Sequence, residues 1–395
     1  MERDVVFLNP WDRLIGPNRY LVELLRHADD LAQRSLVVLP TTTDAAAELQ
    51  ALGCAVERWP EMAIVHPRLT PRHLSHLLTA HTLGVARVRR RLRALAPAVV
   101  ISNSESLWLG GMAARSLGIP HLQVFHTLTF EDRLGHRPRL LRAYLRFLTS
   151  WNHRLIAVSR IVESALERHG VPATTLLTLP NPLPDELPAD DPRRDDEITA
   201  LCRDHSPILL CAGRLSPMKG QDLLVEALPS VRERFPRLLC CFAGRVGSAD
   251  GAEDTITFTR RLRDRISDLG LDEAIRFLGE CDHLPNLIRR ADLYVQPSRT
   301  ESFGRVVAEA LLCATPVVAF AVGGVPETAG PGARLATAAD PAALATAIIA
   351  TLSEPEAARQ QAIEGREHVL QQFGARRIAA QFRTIIEELP PPVPL

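Results

Sequence analysis

An α/β protein built from two Rossmann-like halves is the fold class this sequence predicts, and three observations predict it. The chain is 395 residues long, more than one ordinary domain needs. Short apolar runs alternate along it with longer stretches of helical composition, the order that folds into a parallel sheet covered on both faces. Twice, near the start and again past the middle, such a run ends in a glycine-bearing loop that opens a helix.

Val5-Val6-Phe7-Leu8 reads as the first strand, followed by a turn around Pro10 and Gly16-Pro17-Asn18 and an amphipathic helix from Tyr20 to about His27. Further strands are expected at Ser35 to Leu39, Ala98 to Ser102, Gln123 to Phe125, Arg154 to Val158 and Thr175 to Leu179, with helices between them. Pro184 to Asp204 is dense in Pro, Asp and Arg and has little apolar periodicity, so residues 183–205 are expected to link a first domain, 1–182, to a second, 206–375. The second half repeats the opening. The strand Ile208 to Cys211 runs into the loop Gly213 to Gly220, G-R-L-S-P-M-K-G, and a helix from Asp222 to Leu228. Strands Leu238 to Ala243 and Ile275 to Leu278 follow, with Gly244, Gly247 and Gly279 at or beyond their carboxyl ends. Leu293-Tyr294-Val295 is a short β-type run broken by Pro297-Ser298, then comes a helix over Arg305 to Cys313, a second apolar run Pro316 to Ala321 and the turn Gly323-Gly324. Two helices are expected after Pro341, the last from about Arg376 to Glu388, and the tail from Pro390 to Leu395 is expected to fray.

Composition narrows the function classes. A chain 46% hydrophobic and 23% charged is ordinary for a globular protein. Its opening M-E-R-D-V-V-F-L-N-P lacks the pattern of a secretory signal, and no apolar run approaches the roughly 18 residues of a membrane span, so the expected location is cytoplasmic. Seven cysteines with no C-x-x-C pair point to reduced core residues, not to disulfides or a zinc site. His66, His73, His76 and His81 have no helical H-x-x-x-H pair or acid partner and read as a solvated helix face, so no metal is expected. Residues 1–180 hold 22 arginines against 15 acids, and the surplus is reversed beyond them. Two basic runs stand out in this half, Arg87 to Arg93 and Arg133 to Arg146. The second is interleaved with Leu, Tyr and Phe, and reads either as a solvated helix face or as a surface for anionic lipid or an anionic acceptor. Nucleic acid is not expected, since aromatics are only 5% and no recognition module is legible. Lys219 is the only lysine, and it falls inside the second glycine loop.

The candidate chemistry gathers in the stretch Gln296 to Thr328. Backbone N–H groups at the start of its helix, around Phe303-Gly304-Arg305, favour an anion. Ser302 is expected to cap that helix, and Gly304 to let a ligand approach the backbone. Glu301, a carboxylate at such a place, suits hydrogen-bond donors such as vicinal hydroxyls. Glu309 lies eight residues on, about two helical turns, and can reach another part of an extended ligand; taken alone it reads equally as an ordinary acid on a helix surface. In the first half, Val124-Phe125-His126-Thr127 sets a histidine at a strand's end, where bonding to backbone is the simpler reading for a lone histidine.

At these residues the chain resembles a known family. Gln296 to Thr328 is similar to the E-x7-E signature of family 4 glycosyltransferases, and Gly213 to Gly220 to that family's diphosphate-binding motif. The likeness is close over most of Ile208 to Thr328 and looser in the first half, where Gly16 stands alone at a place that usually holds two glycines. Asn181 resembles a residue that closes the family's first domain. The resemblance implies the GT-B fold, two Rossmann-like domains facing each other across a cleft, with residues 376–395 supplying a helix that crosses back to the first domain. It implies transfer of a hexose-type sugar from a nucleotide-sugar donor, UDP- or GDP-linked, to an acceptor hydroxyl or other nucleophile with retention of anomeric configuration. With no D-x-D motif in the chain, the fixed cations Arg214 and Lys219 take the place of a metal on the leaving diphosphate, and no cofactor is implied. Glu301 would hold sugar hydroxyls; Ser302, Phe303 and Gly304 would meet phosphate or sugar; Glu309 would accept from the ribose; and Gly279 would lie beside the base. Gly16 and Gly213 complete the donor set, and His126 joins Arg214, Lys219 and Glu301 in the catalytic set, near the reacting sugar. The acceptor implied is a small natural product or a precursor of a cell-envelope glycan or lipid. Two other readings stay open, a nucleotide-sugar epimerase of the same fold and a nucleotide-sugar-binding protein without activity.

Overall fold

The computed structural model describes residues 4–393, apart from 12–13, 15, 42–43, 63–83, 129–136, 188–204, 246–251, 282 and 338. The chain divides into two compact units, Met1–Pro182 with Phe373–Leu395 and Leu183–Gln372. Most of the expected linker, the four histidines, Gly247 and Arg133 lie outside the described residues.

Unit 1 is a parallel sheet of β1 (Val5–Leu8), β2 (Ser35–Leu39), β3 (Ala55–Arg58), β4 (Val99–Ser102), β5 (His121–Phe125), β6 (Arg154–Ala157) and β7 (Leu176–Thr178), in the order β3-β2-β1-β4-β5-β6-β7. The sequence of β1 explains its interior place, because its four residues are all apolar and all buried, as a strand covered on both faces requires. Side chains alternate across the sheet. Val5 and Phe7 enter one core with Leu21, Leu24 and Leu25 of the helix Gly16–Arg26 and with Phe382 of the helix Ala375–Glu387. Val6 and Leu8 enter the opposite core with Trp59, Val88, Leu92 and Leu109. The C-terminal helix belongs to this unit: Phe382 sits 6.1 Å, ring to ring, from Phe7, and Arg383 pairs with Asp30 at 3.0 Å.

Unit 2 is a parallel sheet of β8 (Ile208–Ala212), β9 (Leu239–Ala243), β10 (Ile275–Gly279), β11 (Leu293–Gln296), β12 (Val317–Phe320) and β13 (Ala333–Ala336), in the order β10-β9-β8-β11-β12-β13. Its core joins Leu209, Cys211, Phe242, Val295, Val318 and Phe320 to the helices Gln221–Arg234 and Pro341–Ser353. In each unit the strand order grows outward to one edge and then reverses past its first strand, between β1 and β4 and between β8 and β11. An open α/β sheet binds its ligand at such a reversal, beyond the carboxyl ends of the strands.

Several expectations need correction. The first helix begins at Gly16, four residues before Tyr20, because Pro17 has the φ of a first turn and needs no N–H partner there. Gly16 is therefore a helical residue, not a loop residue. The edge strands β3 and β13 were not expected. Glu57 and Arg58 are exposed at one edge, and Arg334 is only half-buried at the other, so neither run is continuously apolar. Three helices, not two, follow Pro341: Pro341–Ser353, Pro355–Phe373 and Ala375–Glu387. Pro355 opens the second and Gly374 separates it from the third. The tail does not fray along its whole length, since the Val393 N–H donates to the Gly118 carbonyl at 2.9 Å.

Candidate active site

Unit 2 assembles two loops at its reversal point. The first leaves β8 at Gly213, whose N–H donates to the Ala243 carbonyl at 2.8 Å, and runs through the 3-10 turn Pro217–Lys219 into the helix Gln221–Arg234. Gln221 closes this loop on itself: its Nε2 donates to the Arg214 carbonyl at 3.1 Å, and its Oε1 accepts from the Ser216 N–H at 3.4 Å. The second loop leaves β11 and presses on the first. At Gly220 a Cβ would lie 1.9 Å from the Pro297 carbonyl oxygen, and φ is +69°, so only glycine fits. Arg299 locks the two loops. Its Nη1 donates to the Pro217 carbonyl at 2.6 Å, its guanidinium grips Asp222 through bonds of 2.8 and 2.6 Å, and its N–H donates to the Met218 carbonyl at 2.8 Å.

That docking brings Lys219 to Glu301, 82 residues apart in sequence, with Nζ to Oε1 at 2.5 Å. The same oxygen accepts from Gln296 Nε2 at 2.7 Å and from Ser298 Oγ at 2.9 Å. Arg214 is exposed on the first loop, and the Glu301 carbonyl accepts from the Gly324 N–H at 2.9 Å, tying the second loop to the turn after β12. Ser302 does not cap the following helix. Gly304 does, with φ +90° and no side-chain cap bond, because the chain enters Arg305–Leu312 through a left-handed residue. Phe303 is buried, and its carbonyl accepts from Thr328 Oγ1 at 2.5 Å. Glu309 is not a surface acid: it is 6% exposed and accepts from Arg305 Nε at 2.9 Å, one helical turn back. Gly279 ends β10 in the open, its carbonyl accepting from the Gly244 N–H at 2.6 Å.

Unit 1 gathers polar side chains at its own reversal point. Asn9, Asn103 and His126 are the first residues beyond β1, β4 and β5 and are all buried. Asn103 Nδ2 donates to the Pro17 carbonyl at 3.0 Å, which turns Oδ1 toward His126 Nε2 at 2.8 Å. An amide oxygen only accepts, so Nε2 carries the proton and Nδ1 is left as an acceptor. Burial pushes the His126 pKa down to about 3, which keeps the ring neutral. Tyr20 packs edge-on against the ring at 5.1 Å. Glu105 fixes the backbone there, with Oε2 accepting from the His126 N–H at 3.3 Å and Oε1 from Thr127 Oγ1 at 2.6 Å. Asn9 Nδ2 donates to Asn18 Oδ1, and Asn18 Nδ2 to the Trp11 carbonyl at 3.0 Å. The structure thus groups Arg214, Lys219 and Glu301 in one unit, with Gly213, Ser302, Phe303, Gly304 and Glu309 around them, and sets His126 in the other. Gly16 is exposed at a helix start, and a Cβ there would meet nothing within 4 Å.

Sequence reasoning missed Gln296, Ser298, Arg299, Asn9, Asn103 and Glu105. The two asparagines carried the signal that His126 did, a polar residue directly after an apolar run. Among the described residues no group of three or more His, Cys, Asp or Glu is placed to hold a metal ion, and no helix is long and apolar enough to cross a membrane.

Residues 194–368 match the family described as Glycosyl transferases group 1, and residues 16–182 match the Glycosyl transferase 4-like domain. D-inositol 3-phosphate glycosyltransferase 2 of Catenulispora acidiphila is 30% identical over 366 residues, covering 86% of this chain and 82% of that protein. A GDP-mannose-dependent alpha-(1-6)-phosphatidylinositol monomannoside mannosyltransferase of Mycolicibacterium smegmatis is 31% identical over 191 residues, 46% of this chain and 47% of that one. Among solved structures, Anabaena HepE in complex with UDP and glucose superposes with a TM-score of 0.81 at 23% identity, covering 98% of this chain and 100% of that one. The sucrose-phosphate synthase of Thermosynechococcus elongatus reaches 0.74, also at 23% identity, over 98% and 99% of the two chains. Two doubly wound units with these neighbours define the GT-B fold. The chain belongs to glycosyltransferase family 4.

Proposed function

We propose that the enzyme moves a hexose from a nucleoside-diphosphate sugar to an acceptor hydroxyl, with retention of anomeric configuration and without a metal ion. The observation that carries this reading is the meeting of Lys219 and Glu301 at the reversal point of unit 2, where a cation for a diphosphate and a carboxylate for sugar hydroxyls share one loop pair. Arg214 and Lys219 hold the diphosphate and stabilise the charge that grows on the leaving oxygen. Glu301 accepts from the sugar hydroxyls, and Ser302, Phe303 and Gly304 meet phosphate or sugar. Glu309, held by Arg305, accepts from the ribose; Gly213 and Gly279 flank the donor, and Gly16 belongs with them by resemblance alone. The neutral His126, with Nδ1 as acceptor, serves the reacting groups from unit 1. The UDP in the HepE complex and the GDP-mannose dependence of the mycobacterial relative support a UDP- or GDP-linked donor. The inositol 3-phosphate and phosphatidylinositol monomannoside in the relatives' names support a polyol or cell-envelope lipid precursor as acceptor.

A thermal-shift screen with UDP-, GDP- and ADP-sugars tests the reading, because a ligand at one hundred times its Kd stabilises by about 2.7 kcal/mol whatever the acceptor is. No stabilisation by any of them overturns it. Conversion of donor with no acceptor present would assign the site to an epimerase instead.

A further inference from the structure

Glu301 is held by a chain of side chains that begins in the core of unit 2. Tyr294 and Gln296, both on β11, point to the same side of the sheet, and both are buried, at 0% and 4% exposure. Tyr294 Oη lies 3.3 Å from the Ala212 carbonyl but closer to Gln296 Oε1, to which it gives its one proton. That bond fixes the amide, so its nitrogen faces away from the tyrosine. Gln296 Nε2 then donates both of its protons, to Ser298 Oγ at 2.6 Å and to Glu301 Oε1 at 2.7 Å. Accepting from Gln296, the fully buried Ser298 hydroxyl donates its one proton to the same carboxylate oxygen at 2.9 Å, and Lys219 Nζ adds a third donor.

The direction of every bond in this relay is determined. A carboxylate accepts only, an amide nitrogen donates only, and each hydroxyl has one proton to give. Among the described residues, all three hydrogen bonds to the Glu301 side chain end on Oε1 and none on Oε2. We propose that Gln296, oriented by Tyr294 and acting with Ser298, is a positioning residue that clamps Glu301 by Oε1 so that Oε2 is presented to a hydroxyl of the donor sugar. A polar residue on a strand covered on both faces costs desolvation unless every bond is made, and here every bond is made toward one carboxylate. The inference rests on the proposed role of Glu301 as the acceptor of sugar hydroxyls.

The relay acts on the sugar and not on the nucleotide, so the test compares the two. Dissociation constants of UDP against UDP-glucose, and of GDP against GDP-mannose, are measured by calorimetry for the intact chain and for Gln296→Leu, Tyr294→Phe and Glu301→Gln. Gln296→Leu should weaken the nucleotide sugar about tenfold and the free diphosphate less than twofold, the scale of one hydrogen bond to a charged group. Tyr294→Phe removes only a hydroxyl and leaves the fold its ring; it should show the same selective loss, about threefold. Equal losses for diphosphate and sugar nucleotide, or none in either variant, would overturn the relay and leave Gln296 as a packing residue. An unchanged sugar preference in Glu301→Gln overturns the role of Glu301 itself, and failure of the unaltered chain to bind any of the four overturns the proposed donor.

Discussion

At the scale of single residues, Lys219 shows how much chemistry one position carries. It is the only lysine in the chain, and the loop docking sets its ammonium against Glu301, so in the proposed reaction donor phosphates would compete for a cation that is already held in place. A fixed cation near a breaking glycosidic bond favours the transition state over the bound substrate, because charge on the leaving oxygen grows during the step. Lys219→Met should therefore lower kcat by about 10²–10³ with a smaller change in donor KM, and Lys219→Arg should restore only part, being planar and longer. Steady-state kinetics at saturating donor decide it, and turnover like that of the unaltered chain would remove Lys219 from the mechanism. The buried histidines make a second prediction. Burial lowers the His121 pKa to about 4, against an opposing bond to Asn152, and the His126 pKa to about 3. In the unfolded chain both titrate near 6.5, so between these values the unfolded state binds more protons. The stability they confer is complete above about pH 6.5 and is lost as pH falls toward 4, at up to ~1.4 kcal/mol per pH unit for each ring. All four tryptophans lie within residues 1–182, so urea unfolding followed by tryptophan fluorescence reports unit 1, and its midpoint should fall between pH 7 and pH 5. A midpoint that is level over this range would mean that these rings protonate in the folded state.

At the scale of elements, the helix Pro138–Thr149 separates two readings of the basic run that ends at Arg146. Leu141, Leu145 and Leu148 are buried, while Arg139, Arg142 and Arg146 are exposed. A merely solvated face would be polar throughout, yet Leu140 and Phe147 are 43% and 42% exposed beside those arginines. Cations next to exposed apolar groups are the composition that adsorbs to an anionic bilayer, at about 1 kcal/mol per arginine. Vesicles with 30% or so of anionic lipid should retain the protein at low salt and release it as the Debye length shrinks. Replacing Arg139, Arg142 and Arg146 by Ala should abolish retention, and salt-independent or absent retention assigns the face to water. Elements also show what the sequence could and could not say. Strands β1 and β2 were legible to the residue because a run such as Val5-Val6-Phe7-Leu8 must be buried on both sides. The edges β3 and β13 were not, because a strand with one neighbour tolerates Glu57, Arg58 or Arg334. For the candidate site, Glu301 and Lys219 stood out by their place after an apolar run and in a glycine loop, whereas His126 entered it only through the family resemblance. The burial of Glu309 and the Tyr294–Gln296–Ser298 relay could not be read, since a glutamate in a helix and a glutamine ending a strand take their meaning from partners that only folding supplies.

At the scale of the whole molecule, the chain does not give each unit one continuous piece. Residues 373–395 follow all of unit 2 in sequence yet pack in unit 1, where Ala375, Ile378, Ala379 and Phe382 are at most 1% exposed. Phe382 lies among the residues that cover β1, an interior strand of the unit, so the N-terminal sheet is completed by the last helix of the chain. A truncated core side chain there costs its transfer energy and the cavity left behind, ~3–5 kcal/mol for Phe to Ala. That loss is expected in unit 1, because every residue of the proposed nucleotide site except Gly16 belongs to unit 2. Phe382→Ala should therefore lower the urea midpoint read by the tryptophans of unit 1. Under native conditions the same protein should bind UDP or GDP as the unaltered chain does. A tryptophan transition unchanged by the substitution would show that the last helix adds nothing to the stability of the first sheet. A parallel loss of nucleotide affinity in the folded protein would show that unit 2 depends on this helix as well.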